Sequence, residues 1–359
     1  MDNSTTLPRS LGGKPTYRRD FTKADGRMLR LYGRNEHTEA PMPQAADEIA
    51  QGGELRYHPL RGEWNVYAAH RQNRTFKPSA ADDPLAPTKP DGPETEIPFG
   101  DFELAIFENK FAAFHPSAAN AADLAGIDTE PAQGACDVVV YDPGAEGSLA
   151  TIGQDRREVL LAALIDRYDA LFKQGCEYVL PFENRGDEVG VTLHHPHGQI
   201  YGFERAPLAQ KRAAEAFSQG YDLASEITAA LPDYGVAQSG DVASFVPRFA
   251  RFPYECWIAP RIRREGPWDC TDGELEALAE QMGEITRRYD ALFQQPAATM
   301  MAFHAAPSGG SANYHFTVQF YPLLRAPGRV KYLASVEQHT GVFTVDVMPE
   351  SAAKALREV

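Results

Sequence analysis

The sequence predicts an α+β fold of two tandem repeats, with antiparallel sheets and helices packed on one side, and three observations predict it. The hexapeptide Arg167-Tyr-Asp-Ala-Leu-Phe172 recurs letter for letter as Arg288-Tyr-Asp-Ala-Leu-Phe293. Each copy ends a stretch whose apolar residues fall at helical spacing. Each is followed by paired β-type runs joined by turns too short for a crossover, so the strands pair antiparallel. The repeated unit is a strand, a helix, a strand and a strand, present twice.

Taken in order, residues 1–53 are polar, with scattered Arg and Pro and no sustained periodicity, and are expected to form an extension lying on the body rather than a core element. Residues 54–205 and 206–359 form the two halves. Short β-type runs open the first: Trp64-Asn-Val-Tyr67, Phe102-Glu-Leu-Ala-Ile-Phe107 and Cys136-Asp-Val-Val-Val-Tyr141. Between the first two, the Pro- and Asp-rich stretch from Pro78 to Pro98 reads as a loop. The first repeat helix begins near Thr151 and sets Val159, Leu160, Leu164, Tyr168 and Leu171 on one face. The second starts at a capping box, Thr271-Asp-Gly-Glu274, followed by Leu275, Leu278, Met282, Ile285, Tyr289 and Leu292. Strand pairs follow each helix, Tyr178 to Phe182 with Gly190 to Phe203, and Met300 to Phe303 with Asn313 to Tyr321.

Composition bounds the function. A chain of 359 residues, 43% hydrophobic and 24% charged, can bury one large or two modest cores and is not disordered. Its net charge of −15 argues against long nucleic acid or an anionic membrane as partner, so any phosphate it binds must meet a few local cations. No apolar run is long enough to span a membrane, and the first residues lack a secretory pattern, so a soluble, cytoplasmic protein is expected. Cys136, Cys176, Cys256 and Cys270 form no C-x-x-C, so their spacing writes neither a disulfide framework nor a thiolate metal site.

Aligning the repeats isolates the chemistry. His195 lies 23 residues past Phe172 (195 − 172) and His315 lies 22 past Phe293 (315 − 293), so His195-Pro-His197-Gly-Gln199 matches His315-Phe-Thr317-Val-Gln319. The second copy lacks the central histidine, which nominates His197 as the reactive group of one working half. In a strand His195, His197 and Gln199 share a face. Pro196 and Gly198 then suggest a sheet edge, or something approaching closely, and a phosphate fits that description. Polar residues on an exposed strand, or two metal ligands, are the alternatives.

These residues resemble galactose-1-phosphate uridylyltransferase, a branch of the histidine-triad superfamily. The resemblance rests on His-Pro-His-Gly-Gln after Phe182-Glu-Asn184, together with His70-Arg71-Gln-Asn-Arg74, Phe107-Glu-Asn-Lys-Phe111, Phe303-His304-Ala-Ala-Pro307, Phe320-Tyr-Pro322 and Lys331 to Glu337. It implies two tandem histidine-triad-like halves and a homodimer. The implied reaction is ping-pong transfer of a uridylyl group from UDP-glucose to galactose 1-phosphate, through a covalent uridylyl-histidine on His197, in galactose metabolism. Gln199, where histidine-triad hydrolases carry a third histidine, cannot titrate but can donate to a phosphoryl oxygen, which favours transfer over hydrolysis. By resemblance Arg71 and Arg74 contact phosphates, Phe107, Asn109 and Phe111 surround the nucleoside, and Asn184, Thr192, Lys331 and Glu337 hold the hexose or its phosphate. Thr192 replaces the usual serine and keeps its hydroxyl. The acidic chain is thus expected to concentrate cations at Arg71, Arg74 and Lys331. Two other readings are a nucleotidyltransferase or phosphorylase acting on another sugar nucleotide such as ADP-glucose, and a non-catalytic nucleotide-sugar binding protein.

The chain departs from the resemblance at its metals. Many members hold zinc through a C-x-x-C pair, a further histidine and the first histidine of His-Pro-His; the matching places here are Asp83, Ala86, Ala145 and His195. A second site in some members uses a glutamate and three histidines; His304 persists, but Thr317 and Gln319 stand for two of the others. Neither set supplies enough ligands. No metal or cofactor is expected, with hydrogen bonds and apolar contacts holding the loop around Asp83 to the body.

Overall fold

The computed structural model describes residues 4–46, 48–49, 52–73, 78–79 and 82–359. Its centre is an antiparallel sheet of twelve strands. In chain order the elements are β1 (Thr5–Thr6), β2 (Tyr17–Thr22), β3 (Met28–Gly33), β4 (Glu54–His58), β5 (Glu63–Tyr67), β6 (Leu104–Glu108), β7 (Thr129–Pro131), β8 (Gly134–Val140), α1 (Gln154–Lys173), β9 (Tyr178–Arg185) and β10 (His197–Phe203). There follow α2 (Leu208–Ser218), α3 (Leu223–Tyr234), β11 (Gly235–Ser239), β12 (Val242–Phe245), β13 (Cys256–Pro260), α4 (Asp272–Phe293), β14 (Thr299–His304), β15 (Thr317–Pro322), β16 (Leu324–Ala326), β17 (Arg329–Val330), α5 (Ser335–Thr340) and α6 (Pro349–Arg357). The sheet order is β1-β2-β3-β6-β8-β10-β9-β14-β15-β13-β12-β11. The duplicated unit is β8-α1-β9-β10 in one half and β13-α4-β14-β15 in the other. The halves join where Phe182 of β9 pairs with Ala302 of β14.

The repeat helices form where their sequences dictate. Thr271 and Glu274 make the reciprocal capping box of α4, satisfying two of the donors that a helix start leaves free. Both α1 and α4 press their apolar stripes on one face of the sheet, where Leu160, Leu164, Tyr168, Met282, Ile285 and Tyr289 meet Ile106, Val139, Ile200, Ile258 and Val318 in the main core. The two helices also pack on each other, and Arg157 lies so close over Gly283 that a Cβ there would collide with its guanidinium. The opposite face is covered by different means in each half. Leu85, Ile97 and Phe99 of the long loop cover the first half, whereas α2 and α3, which the duplication does not include, bring Phe217, Leu223 and Ile227 against Phe245 and Ala259 in the second. Among the described residues no helix is long and apolar enough to cross a membrane.

The first 53 residues correct the expectation of a mere extension. β1, β2 and β3 continue the main sheet, with β3 paired to β6 through Leu29–Phe107 and Leu31–Ala105. Leu29 and Leu31 are buried in the same cluster as Phe107 and Val138. Polar residues fasten the other side: Arg18 and Tyr32 of these strands reach Asp166 of α1 at 2.8 and 2.7 Å, and Arg34, just past β3, reaches Glu158 at 2.7 Å. Their charged residues hid the strand pattern, because they are taken up within the chain: Arg18 by Asp166 of α1, Arg19 by the carbonyls of His37 and Glu39, and Asp20 by Arg18 and Arg30. The Asp25-Gly26 turn before Met28 was the readable signal. Truncating Leu29 to Ala is expected to cost about 2–5 kcal/mol, the range for deleting a buried leucine side chain. It should appear as a lower urea midpoint with unchanged slope; an unchanged midpoint would return β3 to the status of a surface arm.

Candidate active site

β10 is an interior strand, hydrogen-bonded to β8 and β9, and not the sheet edge that its Pro and Gly suggested. Pro196 lies just before the strand, where no ladder bond is needed. What approaches Gly198 is not a ligand but the hydroxyl of Tyr141, together with the carbonyl of Phe182 at 3.0 Å from where a Cβ would be. That hydroxyl contacts the buried Glu183, whose carboxyl burial pushes up to about 7. Glycine at 198 thus serves packing behind the strand and leaves the other face to His197 and Gln199.

His197 and Gln199 line a cavity of about 130 Å³ on that face, with Arg71, Phe107, Asn109, Lys110, Phe111, Thr192 and Leu193 around it. The Nδ1 of His197 is 2.8 Å from the carbonyl oxygen of His195, an acceptor, so Nδ1 carries the proton and Nε2 keeps its lone pair. Burial lowers the pKa of the ring, against the opposing pull of that hydrogen bond, so the neutral form prevails near pH 7. A neutral imidazole with one nitrogen anchored and the other free is chemically a nucleophile. The amide of Gln199, two residues on along the same face, can donate to an oxyanion without exchanging a proton.

His195 does not stand in a row with them. It lies in the bend before β10, buried, with Nδ1 2.7 Å from Asp83 Oδ2 and Nε2 2.7 Å from the carbonyl of Asp142. The Asp142 carbonyl can only accept, so Nε2 donates to it, and Nδ1 meets the Asp83 carboxyl. Burial works against the Asp83 carboxylate, but the hydrogen bonds from His195 and from the Leu85 N–H at 3.0 Å outweigh it and hold its pKa below the usual range. A carboxylate standing where the resemblance has a thiolate ligand thus grips the imidazole directly. Ala86 and Ala145 have no donor atoms, and among the described residues no three His, Cys, Asp or Glu side chains converge to hold a metal ion.

The cavity wall is built by turns. A short 3-10 helix, Ala69–Asn73, delivers Arg71, whose Nη1 donates to the Phe111 carbonyl at 2.7 Å. Asn109 Oδ1 accepts from the Phe111 N–H at 2.8 Å, so the side chain shapes the turn that presents the loop. Phe107 is both wall and core, with its ring buried on β6. Sequence reasoning missed Lys110 and Glu96. Lys110 sits inside the quoted Phe107-to-Phe111 motif between two assigned neighbours, and that position was its signal. Glu96 pairs with Lys23 and with Arg27, the latter at 2.8 Å, and nothing local in the sequence announced it.

Other expected residues lie apart. Asn184 is on the same sheet face, two residues beyond Phe182, which pairs with Gln199, but it does not line the cavity. Lys331 and Glu337 are buried together elsewhere, 3.6 Å apart, with Lys331 also 3.2 Å from Thr344 Oγ1. Arg74 lies outside the described residues. The grouping of cations therefore differs from the sequence expectation: Lys110 lines the cavity with Arg71, and Lys331 is not at this chain's cavity.

The Asp83–His195 bond has a pH signature. In Asp83→Asn, stability should fall by about 1.5–3 kcal/mol near pH 7, the range for a hydrogen bond to a charged group. Because the native carboxyl titrates below its unfolded value of about 4, this deficit should be full above pH 4 and shrink as the pH drops through the native value. Denaturant midpoints measured from pH 7 to pH 3 check it, and a deficit independent of pH would exclude the charge pair as its cause.

Comparison with known proteins agrees with this geometry. Residues 42–207 match the family model described as galactose-1-phosphate uridyl transferase, N-terminal domain. The chain is 33% identical over 317 residues to the galactose-1-phosphate uridylyltransferase of Thermotoga maritima, covering 85% of this chain and 98% of that protein. It is 30% identical over 357 residues to the enzyme of the same name from Streptomyces lividans, covering 94% and 96%. A solved uridylyltransferase superposes with a TM-score of 0.76 at 25% identity, covering 85% of this chain and 97% of that one. An ADP-glucose phosphorylase from Arabidopsis thaliana shares the fold, with a TM-score of 0.64 at 19% identity, covering 85% and 98%. With its duplicated half-sheets and its His-Pro-His-Gly-Gln strand, the chain belongs to the galactose-1-phosphate uridylyltransferase family of nucleotidyltransferases.

Proposed function

We propose that this enzyme transfers a uridylyl group from UDP-glucose to galactose 1-phosphate through a covalent intermediate on His197. The observation that carries the reading is the anchored Nδ1 of His197, which leaves a neutral Nε2 on the cavity wall beside Gln199 and Arg71. Nε2 attacks the α-phosphorus; a P–N bond forms as the P–O bond to the β-phosphate breaks and glucose 1-phosphate leaves. A phosphate oxygen of galactose 1-phosphate then attacks, the P–N bond breaks, and UDP-galactose is released. Neither departing group needs a proton, so an amide at 199 suffices to steady the phosphoryl oxygens. Arg71 and Lys110 offset the phosphate charge, and Phe107, Asn109 and Phe111 flank the nucleoside. Intact-mass analysis after mixing with UDP-glucose should show a uridylyl adduct that is lost in His197→Asn and discharged by galactose 1-phosphate. An adduct formed with ADP-glucose alone would replace the base assignment, and turnover unchanged in His197→Asn would overturn the nucleophile.

The same reading takes the enzyme to be a homodimer in the cytoplasm. Lys331 and Glu337 stand apart from the His197 cavity of their own chain, on a segment whose Tyr332, Val336, Val342 and Met348 are exposed. A second copy would bring these residues to the site. His197→Asn and Lys331→Ala chains, each inactive alone, should then regain about a quarter of the activity when unfolded and refolded as an equal mixture, because half the dimers are hybrid and each has one intact site. No recovery would count against a shared site.

The enzyme is also proposed to work without metal, with the Asp83 carboxylate holding His195 in place of an ion. Elemental analysis of protein purified without chelators should find no stoichiometric zinc; one zinc per chain would sink this.

A further inference from the structure

The duplication gives each half a cavity on the same face of the sheet. Gln199 pairs with Val138 and Phe182, and Gln319 pairs with Trp257 and Ala302. The register therefore sets Thr317 in the place of His197, and Trp257 in the place of Val138. Above this second platform, under α2 and α3, lies a cavity of about 500 Å³, against about 130 Å³ at His197. Its walls are aromatic: Phe249 and Trp257 stand edge to face at 5.6 Å, with Phe217 and Tyr314 opposite.

The polar groups of this cavity define what it can hold. Arg248, the lysine or arginine on its wall among the described residues, is matched by Glu226 at both carboxylate oxygens, and Arg251, which acts on His304 electrostatically, is engaged over the rings of Tyr321 and Phe343, so a phosphate meets no unpaired cation on the wall itself. Thr317 Oγ1 accepts from Gln319 Nε2 at 3.0 Å and offers no imidazole-like nucleophile. His304, also on the wall, makes no side-chain hydrogen bond among the described residues, so its ring is available to a partner within the cavity. Part of the second metal site of some relatives maps here, but with Thr317 and Gln319 in place of histidines the residues do not fit an ion. The volume falls in the range of small-molecule pockets.

We propose that this second cavity binds an uncharged planar heterocycle of the nucleoside class, against Trp257 and hydrogen-bonded to His304, and holds it without transferring any part of it. The inference rests on the duplicated register and the lining, not on which nucleotide reacts at His197.

Tryptophan emission of the full-length protein, titrated with uridine, adenosine and UMP, tests it. A saturable change with at least one nucleoside is expected, lost in Trp257→Phe and weakened at least tenfold in Ala213→Phe, which fills the cavity from α2. UMP should bind this site at least tenfold more weakly than the better nucleoside. No saturable change, a response indifferent to Ala213→Phe, or UMP binding as tightly as the nucleoside would each overturn the proposal. Should Ala213→Phe fail to fold, Ala216→Phe at the exposed rim takes its place. The outcome is separable from the chemistry at His197: a chain that forms no uridylyl adduct but shows Ala213-sensitive binding keeps the second cavity and loses the transfer mechanism.

Discussion

The site depends on one fully committed imidazole. His195 is hydrogen-bonded at one ring nitrogen to Asp83 in the long loop and donates from the other to the carbonyl of Asp142 in the connection to α1, while its own carbonyl accepts a hydrogen bond from His197 Nδ1. Three segments distant in sequence are thereby fixed around a residue that never faces the cavity. Loss of any of these bonds would leave a buried polar group unsatisfied, which is more costly than the bond itself is favourable. The orientation of His197 is thus set from behind, by a backbone atom, which is stiffer than a side-chain partner would be.

Duplication explains why such precision is confined to one half. Both halves keep the strand–helix–strand–strand unit and the glutamine, but what covers the sheet differs. The first half covers its platform with a loop that leaves a narrow cavity against a histidine. The second covers it with two helices that leave a wider, aromatic one against a threonine. A shared backbone register therefore carries two different cavities, because the side chains placed on a fold and what lies over them differ between the halves.

Charge follows the same local logic. The chain carries −15 overall, and many of its cationic side chains are held in ion pairs, such as buried Arg27 with Asp25 and Arg18 with Asp166. Lys23, over the Phe107 ring, and Arg27 are committed to Glu96. At the His197 cavity itself the lining cations are Arg71, whose Nη1 donates to the Phe111 carbonyl, and Lys110.

The sequence by itself determined the repeat, its two amphipathic helices, the antiparallel strand pairs that follow them and the singular histidine at 197. These are matters of local period and of letter-for-letter recurrence, which survive without knowledge of neighbours. Only the tertiary structure decided that β2 and β3 are sheet strands, since their charged residues are taken up by other parts of the chain, Arg18 by α1 and Arg19 by the carbonyls of His37 and Glu39. Likewise it decided that Gly198 makes room for Tyr141 and not for a ligand, that His195 faces Asp83, and that Lys331 and Glu337 lie away from His197. Each of these turns on which distant segment lies across from a residue, and a polar or small residue looks the same in sequence whether it meets solvent, a ligand or another part of the chain.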